Sequence, residues 1–326
     1  MYPCGYSTGS IPLVSNKPIT ECPQEYQALR YSRASKEHSR MEKTTIAYLG
    51  PAGTNCDEAA RVFACHMGKE STTDNFDFIA CPSFAEVFDA VEREQTDYGV
   101  VAVENSLEGS VTSTLDLFAF GGTSRIVGQT VLDIHHCLLI APTADLADVQ
   151  RVASHPQGLA QCRRFLSEQL RGCETITVSS TAEAARLAAT DPHMAAIADE
   201  YAAKLYGTQV YAREIGDRVR NATSFALISR SKQPTFSHDG VWKTSLALFL
   251  QDNKKGSLNM ILSEFAYAGI DLSMIQSRPT KQGLGDYMFF VDILGRESDP
   301  RVQTALNCLR LKLREVKVLG TYPLLS

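Results

Sequence analysis

The chain has few of the features that would place it in a membrane or on a nucleic acid. Among its 326 residues the longest apolar runs, such as VLGTYPLL and SLALFLQ, fall far short of the roughly 20 residues that a membrane-spanning helix requires. The formal net charge is −5 and no long basic tract is present, which argues against nucleic acid or a lipid surface as the partner. We therefore expect a small-molecule partner.

Cysteine usage gives a similar exclusion. The nine cysteines are odd in number, and they form no CxxC and no Cys/His pair at zinc spacing. Scattered thiols of this kind are typical of reduced, mostly buried cysteines, so we expect a cytoplasmic protein without a disulfide framework or a metal site.

Residues 1–41 lack a sustained hydrophobic period and are rich in Ser, Pro and Tyr. Such a composition does not bury enough apolar surface to offset chain entropy, so we expect this segment to be disordered. It also lacks the continuous apolar stretch of a secretory signal, which argues against a secreted solute binder.

From residue 42 to residue 232, strand-like and helix-like segments alternate. YGVVAV (98–103), for example, is a continuous apolar run typical of a strand buried on both faces. The alternation predicts an α/β domain with a mostly parallel sheet and helices on both of its faces. Within this domain we interpret TVLDIHHCLLIA as one long strand, in which His135 and His136 are structural.

A Pro/Gly/Ser-rich linker is predicted at 233–242. Residues 243–326 then follow the order β-α-β-β-α-β, with TSLALFL, YMFFVDI and VKVLGTY as the clearest strands. This order predicts a ferredoxin-like α+β unit.

Small or polar residues mark four junctions between a strand and the helix after it: GPAGTN, ENSLEGSVT, SHPQGLAQ and SSTAEA. In an open α/β sheet, ligands collect outside the carboxyl ends of the strands, where helix N-termini offer free N–H groups and partial positive charge. Because few arginines or lysines occur at these junctions, we expect helix dipoles and hydroxyls to bind a small anion there.

Each candidate in these junctions has a structural alternative. Glu104 ends an apolar strand, where a buried carboxylate is costly unless it is paired or functional. Ser154 either caps a helix or shares a binding face with Gln161, two helical turns further on. We interpret His155 as a packed or capping imidazole rather than a proton donor, and Ser180 as being at capping-box spacing.

The segments TIAYLGPAGTNCDEAA, VVAVENSLEGSV, ASHPQGLAQCRRFL, STAEAAR and RNATSF occur in this order, and GSLN, QSRP and VKVLGTYP follow in the βαββαβ unit. Together, over about residues 44–323, they resemble the prephenate dehydratase family with its C-terminal ACT domain. The resemblance implies a periplasmic-binding-protein-like (type II) catalytic domain with a cleft between two α/β lobes. It also implies conversion of prephenate to phenylpyruvate, water and carbon dioxide without a cofactor, feedback inhibition by phenylalanine, and a homodimer or homotetramer.

The same resemblance implies the residues of the site. Catalytic roles are implied for Thr223, Glu104, Asn105, Ser154 and Gln161. Substrate contacts are implied for Thr54, Asn55, Ser106, Ser180, Thr181, Ser224 and Phe225. Effector contacts in the ACT domain are implied for Gly256, Ser257, Leu258, Gln276, Ser277, Arg278 and Pro279.

The reaction that the resemblance implies requires a positioned hydrogen-bond donor. The ring of prephenate becomes aromatic when the C4 hydroxyl and the C1 carboxylate leave together, so the driving force lies in the substrate. The protein has mainly to hold the carboxylates and hydrogen-bond the departing hydroxyl. Because a threonine hydroxyl is a poor free acid at neutral pH, we expect Thr223 to act as a positioned donor or as a relay from Glu104 or water.

Three departures from the usual motifs keep alternatives open. Ser224 stands where the family motif has Arg, Asn55 where it has Phe, and Gln276 where it has Glu. The alternatives are a non-aromatising prephenate decarboxylase, an arogenate dehydratase, or a sensor of small anions without catalysis, since the same architecture hosts solute binders. The implied catalytic residues are all present, which favours dehydration.

Overall fold

The computed structural model describes residues 43–68, 73–218, 220–236, 240–251, 255–281, 283 and 286–325. Helices α1 to α9 span Asn55–Met67, Phe84–Glu92, Thr112–Phe120, Pro156–Gln161, Arg163–Gln169, Thr181–Ala188, Glu200–Tyr206, Ser257–Tyr267 and Pro300–Arg310. Strands β1 to β15 span Thr44–Leu49, Phe76–Cys81, Tyr98–Asn105, Gly109–Ser110, Arg125–Asp133, Cys137–Ile140, Arg151–Ser154, Glu174–Thr177, Met194–Ala198, Gln209–Ala212, Ala222–Ser229, Trp242–Phe249, Leu272–Pro279, Tyr287–Leu294 and Glu315–Leu325. The expectation of disorder in residues 1–41 lies outside the described residues.

Two α/β lobes follow from the alternation of strands and helices. In the first lobe, which contains β1–β5 and β11, strands β2, β1 and β3 are parallel, while β11 runs antiparallel to both β3 and β5. In the second lobe the sheet order is β10-β6-β9-β7-β8, with β9, β7 and β8 parallel. The apolar run that opens β3 is buried from Tyr98 to Val101, as its composition predicts. The predicted α/β class is confirmed, but the expectation of a mostly parallel sheet is wrong, because β11 in the first lobe and β6 and β10 in the second add antiparallel pairs.

The chain passes between the lobes at the two adjacent histidines. β5 ends at Asp133 in the first sheet, and β6 begins at Cys137 in the second. The interpretation of TVLDIHHCLLIA as one strand is therefore wrong, because an apolar sequence that continues across both strands hides the change of sheet. His135 and His136 lie on the connection between the lobes.

The C-terminal unit, from β12 to β15, has the predicted order β-α-β-β-α-β and the strand order β13-β14-β12-β15. Its core forms where α8 and α9 bury Phe265 and Leu306 against residues of the sheet such as Leu246 and Val291. The expectation of a ferredoxin-like unit is confirmed. None of the helices in the described ranges has the length and apolar content needed to cross a membrane.

The sheet of the C-terminal unit continues into that of the first lobe. β15 pairs in parallel with β5, where Leu324 lies opposite Gln129, and the result is one ten-stranded sheet. Gly320 permits the close approach, because a Cβ atom at this position would stand 2.1 Å from the carbonyl oxygen of Ile126. The C-terminal unit is thus joined by main-chain hydrogen bonds to the lobe that contains β11.

Candidate active site

A cavity of about 1060 Å³ lies between the two lobes. Helices α1, α3 and α6 begin at it, so their N–H groups and the positive ends of their dipoles are available to an anion. No lysine or arginine is among its lining residues in the described part of the chain. The cavity is therefore suited to bind an anion by helix N-termini, hydroxyls and amides, as the sequence predicts.

Capping side chains fix where α1, α4 and α6 begin. The Thr54 hydroxyl accepts from the Asp57 N–H (3.3 Å) and donates to the Leu49 carbonyl (2.8 Å). The Ser180 hydroxyl accepts from the Glu183 N–H at 3.0 Å, and the His155 ring accepts from the N–H of Gln157. The capping interpretations of Ser180 and His155 are confirmed. Four predicted substrate contacts, Thr54, Asn55, Ser180 and Thr181, all line the cavity.

Thr223 and Asn105 lie opposite each other on β11 and β3, and both line the cavity. The Asn105 Nδ2 donates to Thr223 Oγ1 (2.9 Å) and to Asn221 Oδ1 (2.8 Å). The orientation of the Asn105 amide is fixed because its Oδ1 accepts from the backbone N–H groups of Leu107 and Glu108. The Thr223 oxygen therefore acts as the acceptor in this contact, which leaves its own proton for a ligand.

Gln161, in α4 of the second lobe, contacts residues beside Thr223 and Asn105. Its Oε1 accepts from Asn221 Nδ2 (3.1 Å) and lies 2.8 Å from His136 Nε2, while its Nε2 donates to Glu108 Oε1 (3.2 Å). All four residues line the cavity. The sequence predicts no site role for Asn221, His136 or Glu108, although Glu108 lies in the ENSLEGSVT junction and Asn221 in the RNATSF segment.

Glu104 and Ser224 lie outside the cavity. They face each other on β3 and β11, one residue away from the pair that does line it. Because side chains alternate across a strand, Glu104 points away from Asn105, and its position at the strand end leaves it exposed. The expectation that Glu104 is a buried carboxylate is therefore wrong. Glu108 is the carboxylate that lines the cavity.

Two predicted serines support the backbone instead of lining the cavity. Ser154 is fully buried at the end of β7, and its hydroxyl donates to the Ile197 carbonyl (2.8 Å). It lies in a strand before α4, so it neither caps that helix nor shares a helical face with Gln161. The Ser106 hydroxyl accepts from the Ala222 N–H (2.9 Å) on an exposed turn. Phe225, by contrast, is buried and lines the cavity.

The two predicted effector stretches do not line one small cavity together. Gly256 and Ser257, at the start of α8, line a small cavity of about 250 Å³, whereas Leu258 and the stretch from Gln276 to Pro279 on β13 do not. The residues that line it are Leu250, Gln251, Lys255, Gly256, Ser257, Met260, Lys312 and Leu313.

Arg278 contacts the first lobe. Its Nη2 lies 2.7 and 2.8 Å from the two carboxylate oxygens of Asp116 on α3, and Lys281 Nζ lies 2.8 Å from the same carboxylate. The two cations hold the pKa of Asp116 below its usual range even though partial burial raises it. Arg278 therefore joins the C-terminal unit to the helix that begins at the cavity.

Beside the cavity, α1 of the first lobe packs against α7 of the second. The buried Asp57 accepts from Tyr201 Oη (2.9 Å) and from Arg61 Nε (3.1 Å). Burial, with a smaller contribution from the charge of Asp199, raises the pKa of the neighbouring Glu58 to about 7. Burial raises the pKa of Asp199 to about 6. Two carboxyl groups at this contact thus resist ionisation.

Replacing Asp199 by asparagine is expected to stabilise the protein at pH 8 and not at pH 4. A raised folded-state pKa contributes stability that is present below the unfolded pKa and is lost as the pH rises through about 6. Asparagine still caps α7 but carries no charge, so the gain at pH 8 should be about 1–2 kcal/mol in unfolding free energy. Urea unfolding at both pH values measures it, and a gain independent of pH would mean that the buried charge of Asp199 is not its cause.

Within the described ranges, no three His, Cys, Asp or Glu side chains converge as they would around a metal ion. The Cys56 thiol lines the cavity, and burial raises its pKa to about 12. It is therefore neutral at physiological pH and no thiolate nucleophile.

Known proteins match both lobes and the C-terminal unit. The family model described as "Prephenate dehydratase" matches residues 46–233, and the model described as "ACT domain" matches residues 244–309. The bifunctional chorismate mutase/prephenate dehydratase of Neisseria gonorrhoeae is 40% identical over 304 residues, which cover 92% of this chain and 80% of that protein.

Solved structures show the same similarity. Prephenate dehydratase of Arthrobacter aurescens, in complex with L-Phe, has 33% identity and a TM-score of 0.74 over 86% of this chain and 90% of that chain. GqqA, described as a novel type of quorum quenching acylase, has 28% identity and a TM-score of 0.73 over 86% of this chain and 98% of that chain. Since the family match spans both lobes and the cleft between them, this chain belongs to the prephenate dehydratase family and has an ACT domain after the catalytic lobes.

Proposed function

We propose that the cleft binds prephenate and converts it to phenylpyruvate, water and carbon dioxide. The observation that carries this proposal is the hydrogen bond from Asn105 to Thr223 at the wall of a cavity where three helices begin. It supports a threonine whose proton is free to be donated and a site suited to a dianion. We propose residues 42–232 as the catalytic domain, 233–242 as the linker and 243–326 as the ACT domain.

In the proposed reaction the electrons of the breaking bond between C1 and the carboxylate enter the ring as the C4–oxygen bond breaks. The Thr223 hydroxyl donates to the departing oxygen, which leaves as water once one proton has been supplied. Thr223 is resupplied from water, because Glu104 lies outside the cavity and cannot act as the direct source. Asn105 holds the Thr223 oxygen, and Gln161 holds Asn221 from the opposite lobe.

We further propose phenylalanine as the effector and a homodimer or homotetramer as the assembly. The small cavity at Gly256 and Ser257 supports an amino-acid site in the ACT domain, and the structure from Arthrobacter aurescens contains L-Phe. β13 is an edge strand of the ten-stranded sheet and exposes Ile275. An exposed strand edge with an apolar side chain supports pairing with a second copy.

Incubation of the purified protein with prephenate tests the proposal, since phenylpyruvate is measured by its absorbance in alkali. We expect phenylpyruvate, and less of it when phenylalanine is added. A non-aromatic product would indicate a decarboxylase instead. Bound prephenate without turnover would indicate a sensor. Faster turnover of arogenate than of prephenate would indicate an arogenate dehydratase.

A further inference from the structure

A line of buried and half-buried polar side chains connects the ACT domain to the strand that contains Thr223. In the first lobe, Gln129 Nε2 on β5 donates to Ser224 Oγ on β11. From the ACT domain, Lys243 Nζ on β12 donates to Gln129 Oε1 (3.3 Å) and to Asp292 Oδ2 (3.4 Å). Asp292 also accepts from the Ser245 hydroxyl at 2.5 Å.

The line is largely withdrawn from water, and Ser224 at its end is half-buried. The side chains of Lys243 and Asp292 are 13% and 9% exposed, and Gln129 is buried. A buried ammonium is costly unless it is paired and hydrogen-bonded, and the Lys243 ammonium has one carboxylate and one amide oxygen. Its position is therefore constrained from both domains at once.

The line ends at Ser224, the residue after the proposed donor Thr223 on β11. Ser224 follows Thr223 on β11, and its side chain points to the opposite face of the sheet. A shift of Ser224 therefore shifts the backbone of Thr223. The main-chain pairing of β15 with β5 at Gln129 holds the same region from the side of the ACT domain.

We propose that Lys243 is a positioning residue, which sets the place of Thr223 in the cavity through Gln129 and Ser224 and so makes turnover depend on the state of the ACT sheet. The inference rests on the proposed function, because its kinetic readout is turnover of prephenate. It assigns no contact between Lys243 and the substrate.

The test compares Lys243→Met with Lys317→Met. Lys317 is a matched control, since it is a partly buried lysine of the ACT domain whose Nζ also contacts the first lobe, at the carbonyls of Ala119 and Gly122, but not β11. We expect Lys243→Met to lower kcat about tenfold with KM within about twofold, and Lys317→Met to change neither by more than about twofold.

A second variant avoids leaving Asp292 without its cation. Gln129→Met removes the middle of the line while the Lys243–Asp292 pair stays intact. We expect the same loss of kcat, and no further loss in the double variant, because both changes break one connection. Additive losses would overturn the proposal.

Amide hydrogen exchange gives a readout that does not depend on activity. Lys243→Met should speed exchange in β11, and Lys317→Met should not. Inactivity of the unaltered protein toward prephenate would refute the proposed function, whereas equal exchange in β11 of all proteins would refute the role of Lys243.

Discussion

Replacing Thr223 by valine is expected to lower kcat for prephenate by about a hundred- to a thousandfold, about 3–4 kcal/mol of transition-state stabilisation. Valine keeps the β-branched shape that suits β11 but has no hydroxyl for the departing oxygen. Thr223 is only 8% exposed, and the shared β-branched shape means that valine should fit the same space. Asn105 Nδ2 keeps the Asn221 oxygen and the Ala222 carbonyl as acceptors.

The control for this prediction is Thr223→Ser, which keeps the hydroxyl. We expect it to retain most of the turnover, and both variants to unfold at nearly the temperature of the unaltered protein. Steady-state kinetics and thermal unfolding measure these quantities. Turnover near normal in Thr223→Val would remove the hydroxyl from the reaction.

The parts of this fold that the sequence predicts depend on local patterns. The alternation of apolar runs with amphipathic segments predicts the α/β lobes, and the capping roles of Ser180 and His155 follow from residues only two or three positions away. The order of elements in the ACT domain follows in the same way. The motifs also place Asn105, Gln161 and Thr223 in one site, although Asn105 ends β3, Gln161 lies in α4 and Thr223 lies at the start of β11.

The features that the sequence does not predict depend on the phase of a strand or on distant packing. Glu104 and Asn105 are neighbours, and only the pleat at the end of β3 decides which of them faces the cavity. Arg278 looks like an effector ligand by its motif, but the meeting of two sheets places it against Asp116, 162 positions away. No local pattern carries that information.

The substitution of Asn105 by aspartate is the second large effect that we expect, about a thousandfold in kcat/KM at neutral pH. Aspartate has nearly the same shape and still accepts from the N–H groups of Leu107 and Glu108, so the turn after β3 should remain. The atom that donates to Thr223 Oγ1 becomes a carboxylate oxygen, however. The Thr223 proton then points to this oxygen and away from the substrate.

Lowering the pH should partly restore the activity of Asn105→Asp. Such a recovery would show that the new negative charge lowers the activity, and not a general disruption of the site. A protonated aspartate can again donate to Thr223 and no longer repels a dianion, so the activity of Asn105→Asp relative to the unaltered protein should rise as the pH falls toward the pKa of the new carboxyl group. Asn105→Ala, which has no titrating group, should show no such rise. A ratio that is constant between pH 5 and pH 8 would mean that Asn105 supports the turn after β3 and does not direct the proton of Thr223.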